Sequence, residues 1–169
     1  MKKLLAVLAI VAAVQASGSC GDMHEPYVGS EDFQKLKGLV GKWNGTDAET
    51  GEAVAVEYRL SGGGSALVET MSPGTPHEMI TVYHDRGGKL GLTHYCAVGN
   101  QPEMTLAKED GNAMTFDFSG GDNIDPATTP HMHALTVTLD GPDALTQDWV
   151  FYEGGQSKGA HRFTYKRAG

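Results

Sequence analysis

From Trp43 to the end of the chain, apolar and polar residues alternate along many short runs. Between 54 and 60, apolar side chains occupy every even position, and Ala, Glu and Arg occupy the odd ones. Because successive side chains of a β-strand point to opposite faces of the sheet, this pattern indicates strands with one buried and one wet face. The chain is therefore expected to belong to the antiparallel all-β class. The same period of two recurs in 90–96, 114–118, 135–139 and 145–151.

Turn sequences separate these runs at the spacing of hairpins. Pairs such as Pro73-Gly74, Asp110-Gly111 and Asp140-Gly141 are typical of tight turns. Since consecutive hairpins build a meander, and closing it removes the exposed edges, we expect an up-and-down barrel of about ten strands. A two-sheet sandwich is the alternative. The predicted strands are 44–48, 53–60, 65–71, 78–84, 90–96, 104–109, 113–118, 131–139, 144–152 and 159–167.

A short helix is predicted before the first strand. Ser30 has the side chain of an N-cap, acidic residues follow it, and glycines at 38 and 41 end the segment. The helix is expected to cover one end of the barrel. The connection from Ser119 to Pro130 is predicted to be a long loop, of the kind that often serves as a lid. The residues expected on the buried face of the helix are Phe33, Leu36 and Val40.

The first residues are typical of an export signal. Two lysines precede an apolar run from Leu4 to Val14, and small or polar residues follow. Eleven apolar residues are too few for a membrane span, which needs roughly 20, so 1–19 is predicted to be a cleaved signal peptide. Cleavage before Ser17 and lipidation of Cys20 are both open. Residues 20–29 are then a linker or lipoprotein tether, and 30–169 a single barrel domain located in the periplasm, in the envelope or outside the cell.

Net charge limits the partners of the mature chain. Without Lys2 and Lys3, 11 basic residues stand against 21 acidic ones, a net charge of −10. Such a surface repels phosphate backbones, so nucleic acid is not an expected partner. The expected partners are a small molecule and, through a lipid on Cys20, a membrane surface.

The stretch from Phe33 to Gly45 resembles the opening of calycin-type barrels. A short helix there leads into Gly41-x-Trp43-x-Gly45 on the first strand. This group includes lipocalins, fatty-acid-binding proteins and nitrobindin-like haem proteins, and its Trp usually packs across the closed end. The stretches 63–79 and 93–104 also resemble a group of uncharacterised secreted bacterial proteins. The resemblance implies a lumen that holds a small, often hydrophobic molecule. The leading interpretation of the chain is a binding protein rather than an enzyme.

The alternation assigns candidate ligand-binding side chains to the inside of the barrel. Aromatic residues supply apolar surface, and a buried amide, carboxyl or imidazole needs a partner there or on a ligand. These residues are Tyr58, Glu69, His94, Phe116, His133, Gln147 and Trp149.

Two other functions stay open from the sequence. His131 and His133 flank a single residue, so a regular strand would put them on the face of Leu135, about 7 Å apart along the strand. With His94 they would suit Zn, Cu, Fe or haem. The sequence has no extended metal-binding motif that supports such a site. A structural envelope module with a filled barrel is the further alternative. Cys96 is interpreted as a small buried apolar residue rather than a nucleophile.

Overall fold

The computed structural model describes residues 25–169, which form ten strands and one short α-helix. The predicted signal peptide, Cys20 and the first part of the linker lie outside these residues. No helix of the described part is long and apolar enough to cross a membrane. In chain order the elements are α1 (Glu31–Lys37), β1 (Gly41–Asp47), β2 (Ala53–Ser61), β3 (Ala66–Met71), β4 (Met79–Arg86), β5 (Lys89–Tyr95), β6 (Gln101–Asp110), β7 (Ala113–Asp122), β8 (His131–Leu139), β9 (Ala144–Glu153) and β10 (Gln156–Arg167).

The ten strands close into one antiparallel barrel. Each strand pairs with its neighbours in sequence, and β1 also pairs with β10, with Trp43 opposite Arg167. This closure confirms the predicted up-and-down barrel and excludes the sandwich. Closing the sheet leaves no unpaired edge, which is why a chain of short hairpins is stable in this form.

The helix lies at the barrel end where β1 begins. Its N-cap is Ser30, whose Oγ accepts a hydrogen bond from the backbone N–H of Phe33 at 3.2 Å. Phe33 and Leu36 are fully buried in the same apolar cluster as Trp43. The indole Nε1 of Trp43 donates to the carbonyl of Leu39 at 2.8 Å, which fixes the segment that joins the helix to the first strand.

One prediction about this helix is wrong. Val40 does not continue the buried face, because the helix ends at Lys37 and the helical period stops there. The next buried position is Leu39, whereas Val40 is 41% exposed.

The glycine after Trp43 has a steric reason. Gly45 lies opposite Tyr165 across the pairing of β1 with β10. A Cβ at Gly45 would collide with the Tyr165 ring and with the carbonyl of Thr164. The Gly-x-Trp-x-Gly pattern therefore provides space for the strand that closes the barrel.

The loop before β8 is shorter and more ordered than the sequence indicates. Strand β7 continues to Asp122, so the connection spans only 123–130. Asp125 accepts hydrogen bonds from the Ala127 N–H and the Thr128 hydroxyl, both at 3.0 Å. Asn100 donates to the carbonyl of Pro130 at 2.7 Å and ties the loop to the β5–β6 connection.

Candidate functional site

A cavity of about 220 Å³ lies at the barrel end opposite α1, and the 49% exposed side chain of His161 lies at its opening to solvent. Apolar side chains dominate its wall, and among residues 25–169 the imidazoles of His94 and His161 are the polar side chains that line it. Three of the apolar residues are methionines, which adapt to irregular shapes. The lining residues are Met71, Met79, His94, Met132, Trp149, His161 and Phe163.

Strand register explains why these residues meet. Met71 ends β3 directly opposite Met79, which begins β4. His94 lies on β5 opposite Thr81, so it belongs to the same wall of the barrel. Met132 is the second residue of β8 and contributes from the other side of the lumen. The cavity thus forms where strand ends leave the lumen incompletely filled.

His94 is the buried polar side chain of this cavity, whereas His161 is exposed. His94 is 2% exposed, its Nδ1 shares a hydrogen bond of 2.9 Å with the Thr81 hydroxyl, and its ring centre is 4.6 Å from that of Trp149. Its Nε2 is buried and has no protein partner. Burial lowers the pKa of His94 to about 4, so the ring is neutral at physiological pH. A ligand in the cavity can therefore hydrogen-bond to a neutral imidazole.

A second polar group lies one layer deeper in the barrel. Glu69 is 1% exposed, and its Oε2 accepts from the Tyr83 hydroxyl at 2.7 Å and from Gln147 Nε2 at 3.0 Å. Gln147 Nε2 is also 2.9 Å from the hydroxyl of Tyr58. Burial raises the pKa of Glu69, although hydrogen bonds from Tyr83, Tyr58 and Gln147 oppose the shift.

This polar layer is almost completely satisfied. The Gln147 Oε1 has the Trp149 indole N–H and the Tyr165 hydroxyl each at 3.4 Å. The remaining carboxyl oxygen, Glu69 Oε1, has no protein partner. Because buried polar groups are costly to leave unpaired, the layer holds the aromatic rings in one arrangement.

Six of the seven sequence-predicted lumen residues fall into three sets. His94 and Trp149 line the cavity, whereas Tyr58, Glu69 and Gln147 form the polar layer below it. Phe116 is buried and packs edge-on against the Tyr83 ring, 6.0 Å away, as part of the filled core. The sequence analysis missed the three cavity methionines and Phe163, although the same alternation marks Met71 as inward-facing.

The expectation that His131 and His133 share the face of Leu135 is wrong. A β-bulge between Met132 and Ala134 adds a residue to β8, so the alternation breaks there. Leu135 pairs with Trp149, whereas His131 pairs with Tyr152, three residues further along β9 and on its other face. Met132, not either histidine, lines the cavity.

The two histidines instead form an aromatic cluster with Phe118 and Tyr152. His131 Nε2 and His133 Nδ1 share a hydrogen bond of 3.0 Å, and His131 Nδ1 is 2.7 Å from the carbonyl of Thr129. The His133 ring stacks on Tyr152 at 3.8 Å and on Phe118 at 5.1 Å. This cluster packs the loop before β8 against the barrel.

These positions bear on the metal and haem alternatives. His131 and His133 contact each other, but neither lines the cavity. His94 lines the cavity and is therefore not grouped with them. Within residues 25–169, no three His, Cys, Asp or Glu side chains form a group that could hold a metal ion.

Together these features define a closed ten-stranded antiparallel barrel with an apolar internal cavity, compatible with a calycin-like fold. The chain is similar in fold to a protein of known structure, "Crystal Structure of Rv2717c from M. tuberculosis". The TM-score is 0.56 and the sequence identity 16%, over 84% of this chain and 100% of that one. No protein-family model and no curated protein matches the sequence.

Proposed function

We propose that the protein binds one small apolar or amphipathic molecule inside the barrel and does not catalyse a reaction. The observation that carries this proposal is the cavity of about 220 Å³ with a mainly apolar wall and one buried, unpartnered imidazole nitrogen. Concave apolar sites with few, placed polar groups are typical of small-molecule binding. The cavity favours this function over a structural module with a filled barrel.

The size of the cavity limits the ligand. An apolar protein cavity of about 150 Å³ accommodates benzene. A cavity of about 220 Å³ therefore suits a molecule with one or two rings, or a short branched chain. The free Nε2 of His94 favours a ligand that carries one hydrogen-bonding group, such as a hydroxyl.

In this proposal the protein works outside the cytoplasm. The support is the basic start, apolar run and small-residue exit of residues 1–19. A lipid on Cys20 would hold the barrel at a membrane surface, and cleavage before Ser17 would release it.

A binding measurement on metal-free protein tests the proposal. Titration calorimetry with 2-naphthol, a two-ring alcohol, is expected to show one site per chain. Met132→Trp fills the cavity and should abolish this binding. Thr138→Trp places the same indole on the same strand, where the alternation from buried Val137 points outward, and should leave binding intact. Native mass spectrometry after gentle purification reports any molecule that remains bound.

The contradictory results are specific. Equal naphthol affinity in both tryptophan variants would place binding elsewhere on the protein. Absence of any bound molecule, together with no calorimetric signal for a series of one- and two-ring alcohols, would also refute the proposal.

A further inference from the structure

Three methionines and the buried His94 line the same cavity, together with the exposed His161 at its opening. We propose that Met71, Met79, Met132 and His94 form a binding site for a soft monovalent metal ion, Cu(I). This goes beyond small-molecule binding, and it uses a different set of ligands from the three histidines that the sequence suggests. Thioethers are characteristic ligands of Cu(I), and imidazole also suits copper.

The backbone brings these donors together from three strands of one wall and one strand across the lumen. Met71 and Met79 lie directly opposite each other on β3 and β4, where facing Cβ atoms are about 4.5–5.5 Å apart. Thr81 follows Met79 by two residues on the same face and pairs with His94 on β5. Met132 lines the same cavity from β8.

The imidazole is oriented as a metal ligand requires. His94 Nδ1 is held by the Thr81 hydroxyl at 2.9 Å, which leaves Nε2 as the free nitrogen. When Nδ1–H donates to the Thr81 oxygen, Nε2 is the unprotonated nitrogen that a metal requires, and ligating histidines typically hold their second nitrogen in this way. The nitrogen is buried and has no protein partner, so a bound ion would satisfy it.

The charges around the cavity select a soft monovalent ion. Among residues 25–169, no carboxylate, ammonium or guanidinium group lines the cavity, and the Glu49 carboxylate outside it is 3.3 Å from the lining His161. Mg²⁺ and Ca²⁺ require oxygen ligands, and burying a divalent charge among neutral donors is more costly than burying a single one. Glu69 lies two residues before Met71 on the same face of β3, and one of its carboxyl oxygens has no protein partner.

The test measures Cu(I) affinity without oxygen, in competition with a colorimetric Cu(I) chelator. The full chain carries Cys20→Ser and Cys96→Ser, which remove its two thiols. We expect one Cu(I) per chain. Replacing the three cavity methionines together by Leu should weaken binding by more than about tenfold, and Thr81→Val by about 10–100-fold.

Two controls separate metal binding from packing. Met→Leu conserves volume, so the triple variant should fold with the circular dichroism spectrum of the parent. Met104→Leu and Met114→Leu change buried methionines outside the cavity wall and should leave Cu(I) affinity unchanged. Since Trp149 lines the cavity, Cu(I) should quench the fluorescence of a Trp43→Phe variant.

The proposal is overturned if the triple variant binds Cu(I) as tightly as the parent. It is also overturned if the control variants lose the same affinity, or if Zn(II) binds in place of Cu(I). Because 2-naphthol binding is measured separately, failure of the copper site is distinguishable from failure of the small-molecule site.

Discussion

Glu69 shows how a single buried carboxyl organises the barrel interior. It connects a tyrosine of β4 to a glutamine of β9 through hydrogen bonds of 2.7 and 3.0 Å. The hydrogen bonds offset part of the cost of burial, but one carboxyl oxygen stays unpaired. Glu69 therefore fixes the position of the aromatic rings. When its carboxyl is ionised, it lowers the stability of the folded protein.

Glu69→Gln should stabilise the protein at high pH. Burial raises the folded-state pKa of Glu69 above its ordinary value of 4.5. The folded state then holds the proton more tightly, so stability falls as pH rises from about that value through the folded pKa. We expect the variant to be more stable by about 1–3 kcal/mol at pH 8, with a smaller difference at pH 4. Urea unfolding at both pH values checks this.

Glu52→Gln is the control for this experiment, because Glu52 is exposed in the β1–β2 turn. It should change stability by less than about 0.5 kcal/mol at either pH. A Glu69→Gln protein that is less stable than the parent at pH 8 would contradict the prediction.

Sequence alternation identifies most inward-facing residues but not their partners. Tyr58, Glu69 and Gln147 each fall on the apolar face of their own strand. Glu69 and Gln147 are 78 positions apart in the chain. Their contact depends on strand order and barrel closure, which a local pattern does not contain.

At the scale of elements, the helix α1 is attached to the barrel through Asp85 on β4. Its carboxylate accepts from the Ser30 N–H and hydroxyl, both at 2.7 Å, and from the Tyr27 hydroxyl at 3.1 Å. The N-cap of the helix is therefore also the point where the helix contacts the sheet. The cap could be predicted from the sequence, but its acidic partner 55 positions away could not.

Asp85→Asn should loosen this attachment and lower stability by about 1.5–3 kcal/mol at pH 7, the range for hydrogen bonds to charged groups. Burial alone would raise the pKa of Asp85, but the hydrogen bonds from Ser30 and Tyr27 outweigh it and lower the pKa below 3.8. A lowered folded-state pKa gives stability that is present above 3.8 and lost as pH falls through the folded value. The difference should therefore shrink in urea unfolding at pH 3.

The matched variant is Asp122→Asn, at the exposed end of β7. We expect it to behave like the parent at both pH values. The role of Asp85 would be refuted if the two asparagine variants lost equal stability at pH 7.

Element bounds were predictable where alternation is strict and less so at strand ends. All ten strands and the helix are present, because turn residues and period two mark them locally. The bulge in β8 was not predictable, since an inserted residue changes register without a compositional signal. That single residue takes His131 off the face of Leu135 and brings Met132 to the cavity wall.

At the scale of the whole molecule, Arg167 holds the end of β10, the strand that closes the barrel by pairing with β1. Its guanidinium donates to the carbonyls of Gly38 and Val40, both at 2.9 Å, and to that of Pro142 at 3.0 Å. The same group lies 4.2 Å from the Trp43 ring. The final strand is thus connected to the helix end, the first strand and the turn before β9.

Arg167→Ala should lower the free energy of unfolding by about 2–3 kcal/mol, because it removes several hydrogen bonds and a cation–π contact together. Arg167→Lys should lower it less, since the charge stays but the planar fork is lost. Arg162→Ala, on the same strand, removes an exposed ion pair with Asp148 and should cost at most about 1 kcal/mol. Equal losses in the two alanine variants, measured by urea unfolding at pH 7, would refute this role.

The pairing of β1 with β10 also has a consequence for biogenesis. The earliest strand to leave a ribosome or an export channel has to wait for the last one before its outer edge is covered. Until then Trp43 and its neighbours lack their final partners, and the nascent chain offers an open strand to any other polypeptide nearby.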